Sequence, residues 1–181
     1  MNTAFTGHEE RWQARLGKLR DVVRQELVAR QLAAELAPPP VQIIDLGCGQ
    51  GTQAVALARR GYEVTGVDAS PELLARFERD LAAEPAEVRA RVRVEHGLIE
   101  DWAERSGVSP AGAVLCHGVL MYSADPDPLL SAIARVTAPG GLVSLLVRNG
   151  DALAMRPGLL GDWAALLHLI ARRSGEGGLG E

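Results

Sequence analysis

Short, nearly continuous apolar runs alternate along this chain with stretches whose apolar residues recur every three or four positions, which predicts alternating strands and helices. Residues 41–46 read as a strand buried on both faces, as parallel strands are, and 63–68, 91–96, 111–116 and 142–147 continue the series. Residues 91–96 alternate Arg-Val-Arg-Val-Glu, the pattern of a half-exposed edge strand. Helices are predicted between the strands at 52–60, 71–83, 102–106 and 125–136, with Gly61 closing the first of them. Ahead of this core, residues 9–36 carry Leu16, Leu19, Val22, Val23, Leu27, Leu32 and Leu36 at roughly helical spacing, and Pro38-Pro39-Pro40 ends that segment. Behind it, 153–173 include a helix bearing Trp163, Leu166, Leu167 and Ile170, expected to cover the cleft. The pattern predicts an α/β protein built on a doubly wound, mostly parallel sheet. Its expected organisation is a helical segment at 1–40, a core at 41–147, a helical cover at 148–173 and a glycine-rich flexible tail at 174–181, with 1–7 also loose.

The first strand breaks into Gly47-Cys48-Gly49-Gln50-Gly51, and glycines at alternate positions let the backbone turn sharply and let a ligand approach it closely. Dinucleotide sites space their glycines G-x-G-x-x-G, with the pyrophosphate over a helix N-terminus. Here the spacing is Asp45-x-Gly47-x-Gly49-x-Gly51, with an acid inside the strand. Asp68 closes the second strand 23 residues after Asp45, where an acidic residue can accept the hydroxyls of a ribose. It can equally serve the next helix, although Ser70-Pro71-Glu72 already supplies a cap and a proline in the first turn. Both readings can hold if Ser70 is the cap.

Other chemistry-bearing residues fall at the carboxyl ends of strands, where doubly wound sheets bind ligands. Gly97-Leu98-Ile99-Glu100-Asp101 follows the third strand, and its acids serve either a ligand or the dipole of the short helix behind them. His117 ends the fourth strand, followed by Tyr122, and Arg148 and Asn149 follow the fifth. A lone histidine is commonly structural; its convergence with Gly47, Asp68 and Glu100 favours a site. Arg20, Arg24 and Arg30 lie on the leading helix, where spacing alone suggests a solvated face.

Composition narrows the classes. The chain has 181 residues, 47% hydrophobic and 23% charged, a balance suited to one folded, soluble domain. No apolar run approaches the ~18 residues of a membrane span, and residues 1–11 are polar, so a cytoplasmic protein with no membrane partner is expected. The formal net charge of -4 argues against a free-standing nucleic-acid binder, which carries a strongly basic face. Cys48 and Cys116 form no metal-ligand pattern and read as small packing residues, so no metal is expected.

Asp45-Leu-Gly-Cys-Gly-Gln-Gly, Val67-Asp68-Ala-Ser-Pro and Pro139-Gly-Gly before the fifth strand together resemble the class I S-adenosylmethionine-dependent methyltransferases. That resemblance implies a Rossmann-like sheet in the order 3-2-1-4-5, S-adenosyl-L-methionine as cofactor, and a loop that meets its methionine part. It also implies that the acid in the strand helps anchor the cofactor's ammonium. A narrower similarity, in Val23-Arg-Gln-Glu-Leu, Cys116-His-Gly-Val-Leu, Ser123-Ala-Asp-Pro and the Asn149 segment, is to the bacterial tRNA 5-carboxymethoxyuridine methyltransferases, which form a methyl ester on a wobble uridine. Carried over, it implies Arg24 on the cofactor's carboxylate, Gly47, Cys48 and Gly49 at the methionine moiety, Asp68 on the ribose, Ile99 and Glu100 at the adenine, and His117 as a further binder. Tyr122, Arg148 and Asn149 become candidates for orienting the acceptor, and no catalytic base is identified.

The expected partners are tRNA or a small-molecule methyl acceptor. The last two strands of that fold have no counterpart after the fifth, Arg172 and Arg173 only weakly replace a lysine-rich segment of the tRNA enzymes, and Met121 replaces an acid. A C-terminally truncated relative is therefore expected. Alternatives are a small-molecule O- or N-methyltransferase, or an inactive cofactor-binding module that associates, for instance as a homodimer, through the open edge of its sheet.

Overall fold

A computed structural model describes residues 19–105, 107–149 and 152–175, with the backbone alone for 20, 21 and 171–175. The predicted helix over 9–18, the loose start, Ser106 and the tail from 176 lie outside the described residues. The chain divides after Val147 into two compact units.

The first unit begins with helix α1 (Leu19–Glu35) and continues through β1 (Gln42–Leu46), α2 (Thr52–Arg59), β2 (Glu63–Asp68), α3 (Pro71–Ala82), α4 (Ala86–Arg89), β3 (Val92–His96), α5 (Ile99–Ala103), β4 (Ala111–His117), α6 (Asp127–Val136) and β5 (Thr137–Leu146). The five strands form one parallel sheet in the order β3-β2-β1-β4-β5, as the pattern and the resemblance predict. Parallel strands bury both faces, and two apolar layers do so here. On one face Ile43, Val64, Ala113 and Leu115 meet Val28 and Leu32 of α1, Ala54 and Leu57 of α2, and Phe77 of α3. On the other, Ile44, Leu46, Val67, Val114 and Cys116 meet Trp102 of α5 and Leu129, Ile133 and Val136 of α6.

Local chemistry explains most boundaries. Ser70 caps α3 by accepting from Leu73 N at 3.4 Å, with Pro71 in the first turn, so Asp68 is released from that task. Gly61 at φ 97 follows the end of α2 and turns the chain into β2.

Three predicted boundaries are corrected. Between the helix predicted at 71–83 and the strand predicted at 91–96, where no element was expected, lies a one-turn helix, α4, seated through buried Val88. Helix α5 begins at Ile99 rather than at residue 102, because Ile99 and Trp102 are both buried against the sheet. The strand predicted from residue 142 begins earlier, so Ala138-Pro139-Gly140-Gly141 belongs to β5: Thr137 pairs with Ala111 and Leu142 with Ala113, and five steps along β5 oppose two along β4. That bulge carries an odd excess of residues, and so decides which face each later β5 side chain takes.

The second unit contains α7 (Met155–Leu159) and α8 (Trp163–Gly175), two helices where one was predicted. Asp162 accepts from Ala165 N at 3.0 Å at the start of α8, and Gly161 at φ 71 makes the turn before it.

Candidate active site

Strand β1 delivers its glycine loop to the middle of the carboxyl edge. Gly47, Gly49 and Gly51 all have positive φ, of 74, 57 and 77, which side chains disfavour. Gly47 N and Cys48 N donate to Val67 O at 2.8 and 3.1 Å, tying the loop to β2. A Cβ at Gly47 would lie 2.2 Å from Val119 Cγ2, so glycine is what lets this loop touch the one after β4. Asp68 fastens the same corner: Oδ2 accepts from Gly49 N and Oδ1 from Ser70 N, each at 2.8 Å. Each oxygen keeps acceptor capacity after one bond.

Between these loops lies a cavity of ≈160 Å³. Gly47, Gly49 and Asp68 line one side, Ile99 and Glu100 another, and His117 and Tyr122 a third, so seven of the residues singled out from sequence share one space. Tyr122 arrives on a 3₁₀ turn, Leu120–Tyr122. Leu73, Leu98, Gly118, Val119 and Leu129 also line it and were not singled out. Leu73 and Leu129 are the first buried apolar residues of the helices that follow β2 and β4, a signal present in sequence but shared with ordinary core positions. A larger polar groove of ≈420 Å³ opens at the amino ends of the strands, among Arg91, Arg93 and Arg105. It has no glycine loop, so the carboxyl-edge cavity is the candidate site.

The other sequence candidates are not among the residues that line the cavity. Cys48 packs into the apolar layer over Gly66, and burial, then the charges of Asp45 and Asp68, push its thiol far above the usual range, so it stays protonated and unreactive. Cys116 is likewise raised, to about 12, chiefly by burial. Arg24 is exposed on α1, yet its charge reaches His117. Burial first, and Arg24 second, hold the His117 imidazole below its ordinary pKa, which keeps it neutral. Arg148 and Asn149 belong to the second unit.

Asp45 is the exceptional group. It is 3% exposed and accepts no hydrogen bond from any described residue. Burial, reinforced by Asp68, raises its carboxyl to about 7. A buried acid without a donor is costly unless something cationic completes it. Asp68 is also raised by burial, but backbone bonds from Ser70, Gly49 and Ala69 oppose the rise. Two acids beneath a glycine loop, with a neutral imidazole and an arginine charge nearby, suit a ligand having a cationic amine, vicinal hydroxyls and a carboxylate. The donor set therefore fits S-adenosylmethionine. Among the described residues no group of three or more His, Cys, Asp or Glu could hold a metal ion, and no helix is long and apolar enough to cross a membrane.

A glycine loop opening a cavity at the carboxyl edge of a 3-2-1-4-5 sheet defines a doubly wound α/β protein with a nucleoside-cofactor site. The methyltransferase domain family matches residues 43–141, and the chain belongs to it. It is 31% identical over 147 residues to the tRNA 5-carboxymethoxyuridine methyltransferase of Escherichia coli K12, covering 81% of this chain and 55% of that protein. It is 32% identical over 132 residues to the ubiquinone biosynthesis O-methyltransferase of Xanthomonas campestris pv. campestris B100, covering 72% and 52%. Among solved structures, the glycopeptide N-methyltransferase MtfA complexed with S-adenosyl-L-methionine aligns with a TM-score of 0.57 at 26% identity, over 67% of this chain and 54% of that one. The chain thus spans about half the length of the curated relatives it matches.

Proposed function

We propose that this chain binds S-adenosyl-L-methionine in the carboxyl-edge cavity and transfers its methyl group to an acceptor. The observation that carries the reading is Asp45: a buried acid with no hydrogen-bond donor, two residues before the glycine loop. Asp45 would hold the cofactor's ammonium group, Asp68 its ribose hydroxyls, Ile99 and Glu100 its adenine, and Arg24 and His117 its carboxylate. Gly47 and Gly49 allow the main chain to approach closely. When bound, the cofactor supplies an electrophilic methyl on a positively charged sulfur. The protein's own contribution is alignment and the exclusion of water by Leu73, Leu98, Val119 and Leu129 around the cavity.

For the acceptor we favour a carboxylate, in the chemistry of the tRNA-modifying relative, whose resemblance reaches beyond the motif loops into Val23-Arg-Gln-Glu-Leu and Cys116-His-Gly-Val-Leu. A carboxylate is nucleophilic as it stands and needs no general base. That agrees with a cavity whose one imidazole among the described lining residues, His117, is committed to Ser144. The net charge of -4 supports the second reading, a small-molecule O-methyltransferase like the ubiquinone enzyme. A third, an inactive module acting by association, draws on the open edge of β5.

Calorimetric titration of the whole chain with S-adenosylhomocysteine tests the first step, with Asp68→Ala expected to abolish binding. Absence of binding by the folded wild type would refute the cofactor site. Methyl incorporation into tRNA bearing 5-carboxymethoxyuridine, against phenolic small molecules, then separates the acceptor readings, and turnover of neither supports the third.

A further inference from the structure

His117 and Ser144 occupy adjacent strands on one face of the sheet. Leu115 pairs with Ser144 and His117 with Leu146, which makes the two residues diagonal neighbours across β4 and β5. They share that face only because the bulge in β5 inserts an odd number of residues before Leu142. His117 Nε2 and Ser144 Oγ lie 2.9 Å apart in a half-buried setting. The other ring nitrogen, Nδ1, makes no hydrogen bond to any described residue, and His117 lines the cavity. The imidazole is thus held by one nitrogen, with the other left for a ligand.

We propose that Ser144 is a positioning residue that donates its hydroxyl hydrogen to His117 Nε2, which places the ring proton on Nδ1 and makes that nitrogen a donor to an anionic group of the bound ligand. A neutral imidazole carries a single N–H, so the partner of one nitrogen dictates the role of the other. The direction follows from the ligand. The cofactor reading puts a carboxylate beside His117, whereas Asp68 and Glu100 line the cavity elsewhere. An anion here needs a donor, and only a ring that accepts from Ser144 can supply one. Ser144 has no other hydrogen-bond partner among the described residues, so its proton is available for the task. The choice of tautomer rests on the cofactor reading above; its measurement in the ligand-free protein does not.

Two measurements test it separately. In ligand-free protein, nitrogen-15 correlation spectra of the histidine rings should show His117 protonated on Nδ1 in the wild type, mixed tautomers in Ser144→Ala, and the wild-type state restored in Ser144→Thr. In calorimetry, Ser144→Ala should weaken S-adenosylhomocysteine binding about threefold to tenfold, the size of one hydrogen bond. The same change introduced beside His117→Ala should add nothing. A wild-type ring protonated on Nε2, or Ser144→Ala leaving both tautomer and affinity unaltered in a protein folded by circular dichroism, would overturn the proposal. If the wild type binds no S-adenosylhomocysteine at all, the cofactor reading fails while the spectra still decide the role of Ser144.

Discussion

Asp45 carries a free-energy cost that, on the proposed reading, the ammonium group of a bound cofactor would relieve. Its carboxyl is raised to about 7 from the ordinary ~4, so between those values the unfolded chain has already lost a proton that the native state keeps. The sign follows: this group lowers the stability of the ligand-free protein as pH rises from about 4 to 7, and a bound ammonium ion reverses the effect. The affinity for S-adenosylhomocysteine should therefore rise with pH, by up to about tenfold per unit below 7, and level off above. Asp45→Asn should bind weakly and with a much flatter profile, and calorimetry across pH 5.5 to 8 checks this. His117 works in the opposite direction for stability, since a lowered imidazole pKa favours the neutral native form and that advantage is lost as pH falls below about 6.5. A second residue-scale expectation concerns Gly51. Its φ is 77 and an added Cβ would lie 2.1 Å from Phe77 Cδ2, so Gly51→Ala should cost about 2–4 kcal/mol, read by urea denaturation. The loop glycines were legible in the sequence because of their spacing; that Gly51 is demanded by the ring of Phe77, 26 residues away, was not.

Among the elements, β5 combines two liabilities. It is an edge strand, and Val143 and Leu145, on the face turned from His117, are 41% and 44% exposed. Unpaired backbone beside apolar side chains invites strand addition, and a charge on such an edge suppresses it. The purified chain should therefore self-associate in light scattering, and Leu145→Lys should shift it toward monomer without losing the sheet's circular dichroism. Unchanged mass would remove the edge as an association surface. The period-two and helical patterns located all five strands because each strand buries an apolar layer. They missed α4 and the early start of α5, since a single turn has too few residues to display a period, and only burial of Val88 and Ile99 defines it.

At the scale of the whole molecule, the division after Val147 predicts that the two apolar layers of the first unit melt as one. Phe77 is fully buried beneath the glycine loop, so Phe77→Ala should destabilise the unit by about 3–5 kcal/mol and weaken cofactor binding with it. Thermal unfolding with and without S-adenosylhomocysteine measures both. A variant that lost stability and kept its affinity would show the loop to be independent of the core. The sequence by itself determined the α/β class, the strand order through its family resemblance, and the acids and glycines of the site, because those depend on local periodicity and on short motifs whose spacing is chemistry. Tertiary structure alone decided that Asp45 lacks a donor, that Cys48 turns into the core, and that Ser144 meets His117. The physical reason is register: a three-residue excess in β5 is invisible as a pattern, yet it selects the face on which every later side chain of that strand lies.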